Sequence, residues 1–148
     1  MTDINFYIPG FLNEFPEFTN YQPWNFLPEL SSILLQRIEK TDSNFDVKNG
    51  IAIHKTAIVE GNVTLKAPII IGENCFIGAH AYLRDGVFLG KSCTIGPCCE
   101  IKRSIILNGS TIAHFNFIGD SIIGNRVNFE AGAITANHFN EKTIKTIL

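Results

Sequence analysis

From Ile53 onward the chain keeps a six-residue beat. Ile53, Val59, Leu65, Ile71, Ile77, Leu83, Leu89, Ile95, Ile101, Leu107 and Ala113 are large aliphatics at every step but the last. Two residues earlier in each hexad stand Ile51, Ala57, Val63, Ile69, Cys75, Ala81, Val87, Cys93, Cys99, Ile105 and Thr111, all small or β-branched. Pairs at i and i−2 have the period of a strand. A helix would repeat every 3.6 residues and could not hold a six-residue rhythm this long. Gly72, Gly78, Gly90 and Gly96 follow their aliphatics directly, where a tight corner or close packing favours glycine. Three hexads then close one triangular coil, and the fold class predicted is all-β, a parallel β-helix.

The 148 residues suffice for a buried core. Residues 1–50 read differently from the rest. Residues 1–25 are rich in Phe, Pro and Asn without periodicity, PELSSILLQRIEK (28–40) reads as one amphipathic helix, and TDSNFDVKNG (41–50) reads as a linker. The division expected is a small N-terminal helical cap over 1–50 and the β-helix over 51–148. The cap is expected to cover the strand edges at the end of the helix, which would otherwise invite aggregation. A net charge of −2 lacks the basic excess that nucleic acid binding requires. No apolar run is long enough for a membrane span, and the first residues lack a signal-peptide pattern. A cytoplasmic protein with reduced thiols is expected, binding neither nucleic acid nor membrane.

Stacking residues 18 apart on adjacent rungs, about 4.8 Å away, turns sequence into neighbourhoods. Cys75 falls under Cys93, both inward, and Cys99 is inward as well; these three are expected to act as small hydrophobes. Cys98 points outward. No zinc-type Cys/His spacing appears. Arg84 falls under Lys102. Two stacked cations repel, so the pair is either solvated surface charge or the holder of an anion such as a sugar phosphate. His114 falls on Gly78 and Gly96. After Ala113 the aliphatics Ile118 and Ile123 break the six-residue step, so the coil is expected to be distorted at STIAHFNFIGD (110–120), with His114 presented at the break.

The strict hexad form resembles the left-handed parallel β-helix of the hexapeptide-repeat acyltransferases. Residues 83–137, LRDGVFLGKSCTIGPCCEIKRSIILNGSTIAHFNFIGDSIIGNRVNFEAGAITAN, are similar to the acetyltransferase domain of the bifunctional glucosamine-1-phosphate acetyltransferase/uridyltransferases. The wider superfamily includes the UDP-N-acetylglucosamine acyltransferases. The resemblance implies an acyl group passing from acetyl-CoA or another acyl thioester to an amino-sugar phosphate or a sugar nucleotide, without a metal. It implies His114 as general base, Glu100 as its orienting partner, and the backbone N–H of Ala131 as oxyanion donor. It implies Arg84 and Lys102 at the acceptor's phosphate, with Phe117, Asn128 and Asn137 as further binding positions. It also implies a homotrimer with sites between subunits.

Two departures stand out. Phe117 and His138 replace tyrosines of that family, and the chain stops where further coils would line the donor channel. A non-catalytic trimeric scaffold or sugar-phosphate-binding module is therefore the alternative. A carbonic anhydrase on the same fold would need two closely spaced zinc histidines, a spacing that His54, His80, His114 and His138 do not offer.

Overall fold

In the computed structural model, which describes residues 3–135, each hexad forms a short strand and a corner, and successive coils pair in parallel. Three faces result. The first carries Ile51–His54, Ile69–Ile71, the second halves of the long strands Tyr82–Leu89 and Glu100–Ile106, and Ile122–Ile123. The second carries Ile58–Val59, Phe76–Ile77, Thr94–Ile95, Thr111–Ile112 and Asn128–Phe129. The third carries Thr64–Leu65, the first halves of the two long strands, Phe117–Gly119 and Ile134–Thr135. This is the expected class, a left-handed parallel β-helix with a helical segment before it.

Ile69, Ile71, Ile77, Leu83, Leu89, Ile95 and Ile101 are fully buried inside the coil. Each contributes roughly 1.5–3 kcal/mol of apolar burial, which is what selects the inward register. Cys75, Cys93 and Cys99 are buried, Cys98 is exposed, and all four are unpaired, as expected. The hydrogen bond with Cys75, together with burial, pushes the Cys93 thiol far up, so it stays protonated.

Glycine after the aliphatic answers to packing, not to backbone angle. A Cβ on Gly96 would lie 1.4 Å from the carbonyl oxygen of Ala113, and one on Gly78 would lie 2.6 Å from the nitrogen of Pro97. The left-handed backbone falls two residues later, at Asn74, His80, Ser92 and Cys98. At the next coil Phe115 takes the place of Cys98, with φ 54°.

The coil is 18 residues long only as far as Glu100. Tyr82 pairs with Glu100, but Glu100 pairs with Phe117 and Phe117 with Ile134, steps of 17. One residue is lost where Arg84 pairs with Lys102 yet Val87 pairs with Ser104. The corner Asp85–Gly86 becomes the single residue Arg103, with φ 42°, and one coil later Asp120, with φ 47°. The inward phase expected for Ile105, Leu107, Thr111 and Ala113 is therefore corrected. Ile106 and Ile112 face the interior, while Ile105 and Leu107 face outward into a second core.

The expected distortion at His114 is corrected too. Thr111–Ile112 and Phe117–Gly119 both lie in regular register. Of the two short steps, one ends at Ile106, before His114. The other, between Ile118 and Ile123, turns at Asp120.

Past the first short corner one of the two inward positions of each hexad becomes polar for one turn, while Ile106, Ile112 and Ile118 stay in the interior core. Ser104, Ser110 and Asn116 are buried, one at each corner of one coil. Each accepts from a backbone N–H of the next coil: Ser121 to Ser104 (3.1 Å), Val127 to Ser110 (3.0 Å) and Ala133 to the Asn116 carbonyl oxygen. The two serines also donate, Ser104 to the Lys102 carbonyl (2.8 Å) and Ser110 to that of Gly124 (2.7 Å). Buried polar side chains are tolerated when satisfied in this way.

The N-terminal segment covers a flank of the β-helix, not its end. Phe11, Phe15, Phe26, Leu30 and Leu34 pack against the outward residues Ala52, Ile70, Phe88, Ile105 and Leu107 of the first face. The helix Leu30–Ile38 lies at the centre of this second core. Arg37 closes it, with its guanidinium 4.0 Å above the Phe15 ring and 2.9 Å from Glu17. Residues 41–50 contain a strand, Phe45–Lys48, antiparallel to Ile51–His54. The turn Asn49–Gly50 takes positive φ at both residues, as a two-residue hairpin requires. That strand covers the first open edge of the first face, the protection expected of the cap as a whole. Among the described residues no helix is long and apolar enough to cross a membrane.

Candidate active site

His114 occupies a corner between the second and third faces. With a 17-residue coil it stacks on Pro97, not on Gly96; the Phe115 N–H bonds the Pro97 carbonyl, and the Gly132 N–H bonds the His114 carbonyl at 3.2 Å. Ala79, Pro97, His114 and Ala131 thus form one corner column. The imidazole is exposed, and among the described residues it meets the edge-on ring of Phe115, 5.6 Å between centroids. No hydrogen bond or ion pair holds it among the described residues. Ala131, one rung on, is also exposed, and no described residue accepts from its N–H. An imidazole and a backbone N–H on neighbouring rungs, neither bonded to a described residue, are chemically suited to act as a base and an oxyanion ligand.

The other expected residues are placed as follows. Arg84 and Lys102 do stack on adjacent rungs of the third face. They do not stand as free cations. Arg84 Nε donates to Glu100 at 2.7 Å and Nη1 to Asp85 at 2.6 Å. Lys102 Nζ meets Asp120 at 3.0 Å, and Arg103 meets the same carboxylate at 3.4 Å. The hydrogen bond to Glu100, with the charges of Glu100 and Asp85, holds Arg84 further above its ordinary value. Three cations thus face three carboxylates, Asp85, Glu100 and Asp120.

Glu100 is engaged with Arg84, and no hydrogen bond joins it to His114. Phe117 lies over Gly119, where a Cβ would come within 2.7 Å of its ring. Asn128 stacks on Thr111 and donates to Glu130. Asn137 and His138 lie outside the described residues. No group of His, Cys, Asp and Glu able to hold a metal ion occurs among the described residues.

The carboxylates are within reach of the sequence. Glu100 lies 16 residues after Arg84, the diagonal position one coil on. Asp120 lies 18 after Lys102. Glu100, expected to orient His114, pairs with Arg84 instead, and Asp120 is a partner that the stacked cations alone do not announce.

Comparison with known proteins places this region. The family described as the GMPPB C-terminal domain matches residues 77–145. The bifunctional protein GlmU of Thermodesulfovibrio yellowstonii is 51% identical over 49 residues, 33% of this chain and 11% of that protein. The bifunctional sugar-1-phosphate nucleotidylyltransferase/acetyltransferase of Sulfurisphaera tokodaii is 49% identical over 47 residues, 31% of this chain and 12% of that protein. This chain resembles the hexapeptide-repeat acyltransferases. It spans about a tenth of the length of these two relatives. Among solved structures, PerB from Caulobacter crescentus, in complex with CoA and GDP-perosamine, superposes with a TM-score of 0.43 at 18% identity over 57% of this chain and 51% of that one.

Proposed function

We propose that this protein transfers an acetyl or other acyl group from a CoA-type thioester to the amine of an amino-sugar phosphate or sugar nucleotide. The observation that carries the reading is His114, exposed, without a hydrogen-bond partner among the described residues, and one rung from the Ala131 N–H, for which no described residue is an acceptor. The sequence similarity to the bifunctional sugar-1-phosphate nucleotidylyltransferase/acetyltransferase of Sulfurisphaera tokodaii supports it.

In this reading the neutral His114 imidazole takes a proton from the amine as its nitrogen attacks the thioester carbonyl. The Ala131 N–H stabilises the developing oxyanion. The tetrahedral intermediate collapses, the C–S bond breaks, and the thiolate recovers the proton from the imidazolium. Metal chemistry is not required in this scheme.

Arg84 and Lys102 enter the scheme differently from the expectation. Their charges are compensated in place, so an acceptor phosphate would have to displace Glu100 or Asp120 to reach them. They serve better as a rigid wall than as an anion clamp. The site is completed by a second copy of the chain in a homotrimer. Phe115, 67% exposed, and Ile134, 70% exposed, flank the His114 corner and suit such a contact. Unpaired cysteines fit a reducing, cytoplasmic setting.

The compensated cations also favour the alternative, a non-catalytic β-helix scaffold. The deciding experiment is CoA release from acetyl-CoA with amino-sugar phosphates and amino-sugar nucleotides, comparing wild type with His114→Ala and Ala131→Pro. The acyltransferase predicts that His114→Ala lowers the rate about 10²–10⁴-fold. Ala131→Pro, which deletes the N–H, should lower it about 10²–10³-fold. Absence of release from folded wild-type trimer with every acceptor would establish the scaffold.

A further inference from the structure

A cleft of about 490 Å³ lies far from the His114 corner, between the helical segment, the strand Phe45–Lys48 and the first face of the β-helix. Its volume is that of a small-molecule site. Its floor is apolar, formed by the outward residues Ile70 and Phe88, and Phe45 stands on its wall.

Its polar groups are of both kinds. Asp42 lines it with a carboxylate that accepts from the Asn44 N–H at 2.8 Å and the Asn44 side-chain amide at 3.2 Å, and no cation pairs with it among the described residues. The other two carboxylates in the lining are compensated, Glu73 by Lys91 at 3.3 Å and Glu14 by Arg37 at 3.8 Å. His54 adds a donor. Its Nδ1 accepts from the Thr56 N–H at 3.2 Å and lies 2.9 Å from the Thr56 hydroxyl, which leaves Nε2 as the ring nitrogen that donates. That N–H has no partner among the described residues, and the ring is fixed edge-on against Phe45 at 5.0 Å. Asn108 accepts from the Lys91 N–H at 2.8 Å through its oxygen, and no described residue accepts from its NH₂.

We propose that this cleft binds an unphosphorylated amino hexose. An uncompensated carboxylate selects an ammonium group and disfavours a phosphate. Two N–H donors beside a carboxylate match hydroxyls, which both donate and accept. The apolar floor suits the C–H face of a pyranose ring. The site uses none of the residues placed in acyl transfer, so it stands or falls independently of that reading.

The test is protein-observed NMR on the full chain, titrated with glucosamine, glucose and glucosamine-6-phosphate. We expect glucosamine to shift the amides of Phe45, His54 and Gly90, and glucose to bind more weakly. Glucosamine-6-phosphate should bind at least about tenfold more weakly than glucosamine, about 1.4 kcal/mol. Asp42→Asn should reduce glucosamine affinity about tenfold while its amide spectrum stays folded. His114→Ala should leave binding unchanged. No shift at those amides with any of the sugars overturns the proposal, and this wild-type mapping is decisive by itself if Asp42→Asn does not fold. Tighter binding of the phosphorylated sugar, or loss of binding in His114→Ala, also overturns it.

Discussion

The coils before Arg103 and those after it are built to the same six-residue rhythm but hold together differently. Above, the coil has 18 residues, and its inward corners are Ile69, Cys75, Ala81, Val87, Cys93 and Cys99, all apolar. Below, the coil has 17, and the corresponding corners of one turn are Ser104, Ser110 and Asn116. Inside the upper half, dispersion and exclusion of water dominate, and the polar contacts are weak thiol donations, from Cys75 to the Gly90 carbonyl and from Cys93 to that of Leu107. The lower half adds a layer of side-chain hydrogen bonds to the next coil's backbone. The contrast teaches that a shortened corner need not end a β-helix, provided its polar groups are rejoined across the rungs.

The sharpest way to break this comparison is at the stacking itself. Gly96→Ala puts a methyl carbon where the Ala113 carbonyl oxygen now sits, so the upper and lower coils cannot close on each other. A loss of more than about 4 kcal/mol is expected, within the range in which a domain of this size fails to fold. Gly61→Ala is the control, since nothing lies within 4 Å of the added carbon and its backbone is not left-handed. Urea denaturation of both variants decides. Similar midpoints would mean that the coils are not held as closely as described.

Next comes the polar layer. Asn116→Leu removes the acceptor of the Ala133 N–H and the weaker 3.5 Å donation to the Phe129 carbonyl. We expect about 3 kcal/mol lost, because a buried backbone donor is left without a partner. The mirror change in the upper half, Cys99→Ala, should cost less, about 1 kcal/mol, since it removes a small side chain and only weak thiol contacts, 3.5 Å to the Ala113 carbonyl and 3.8 Å to that of Pro97. If the two variants lose equal stability, the two halves are not held by different forces.

These two sites also show what the sequence can and cannot tell. The beat is readable from Ile53 to Ile101, because each hexad offers one clear inward aliphatic. It fails at SIIL (104–107). There Ile105, Ile106 and Leu107 are all apolar, since the helical segment demands apolar residues on the outside of the first face just as the interior does on the inside. A one-residue slip inside an apolar run leaves no polar residue to betray it. Asn116 is hidden for the same reason, since in the wrong phase it reads as an outward loop residue. The broken rhythm points to His114, yet the break lies elsewhere. What distinguishes His114 in space is that no described residue hydrogen-bonds or ion-pairs with its ring, which no spacing rule reports.

The short corner offers a smaller test. Asp120, whose side chain is only 15% exposed, neutralises both Lys102 and Arg103 at that corner. Asp120→Asn should cost about 2 kcal/mol, because two partly desolvated cations lose their counter-charge. It should also raise the affinity of the third face for inorganic phosphate, measurable by thermal shift against rising phosphate. Unchanged phosphate response with lowered stability would mean that the cations find other partners.

The smallest expected effect lies in the staple that joins both halves through the helical segment. The second core takes Phe88 from the upper coils and Ile105 and Leu107 from the lower, and Arg37 locks it by pairing with Glu17. Burial raises the Glu17 carboxyl, but the Arg37 hydrogen bond and charge outweigh it, and the net shift is downward. A carboxyl that is more acidic folded than unfolded stabilises fully above its ordinary value, about 4.3. That contribution is lost as pH falls through the folded value, since protonation then costs the folded state its pairing. Tm measured from pH 7 to pH 3 should therefore fall more steeply for wild type than for Glu17→Gln. At neutral pH the variant should be the less stable by under about 1 kcal/mol, as expected for a pair this exposed to water. Equal slopes for the two proteins would show that the staple draws its strength from the Arg37 stack on Phe15, and Arg37→Ala would then be the more damaging change at every pH.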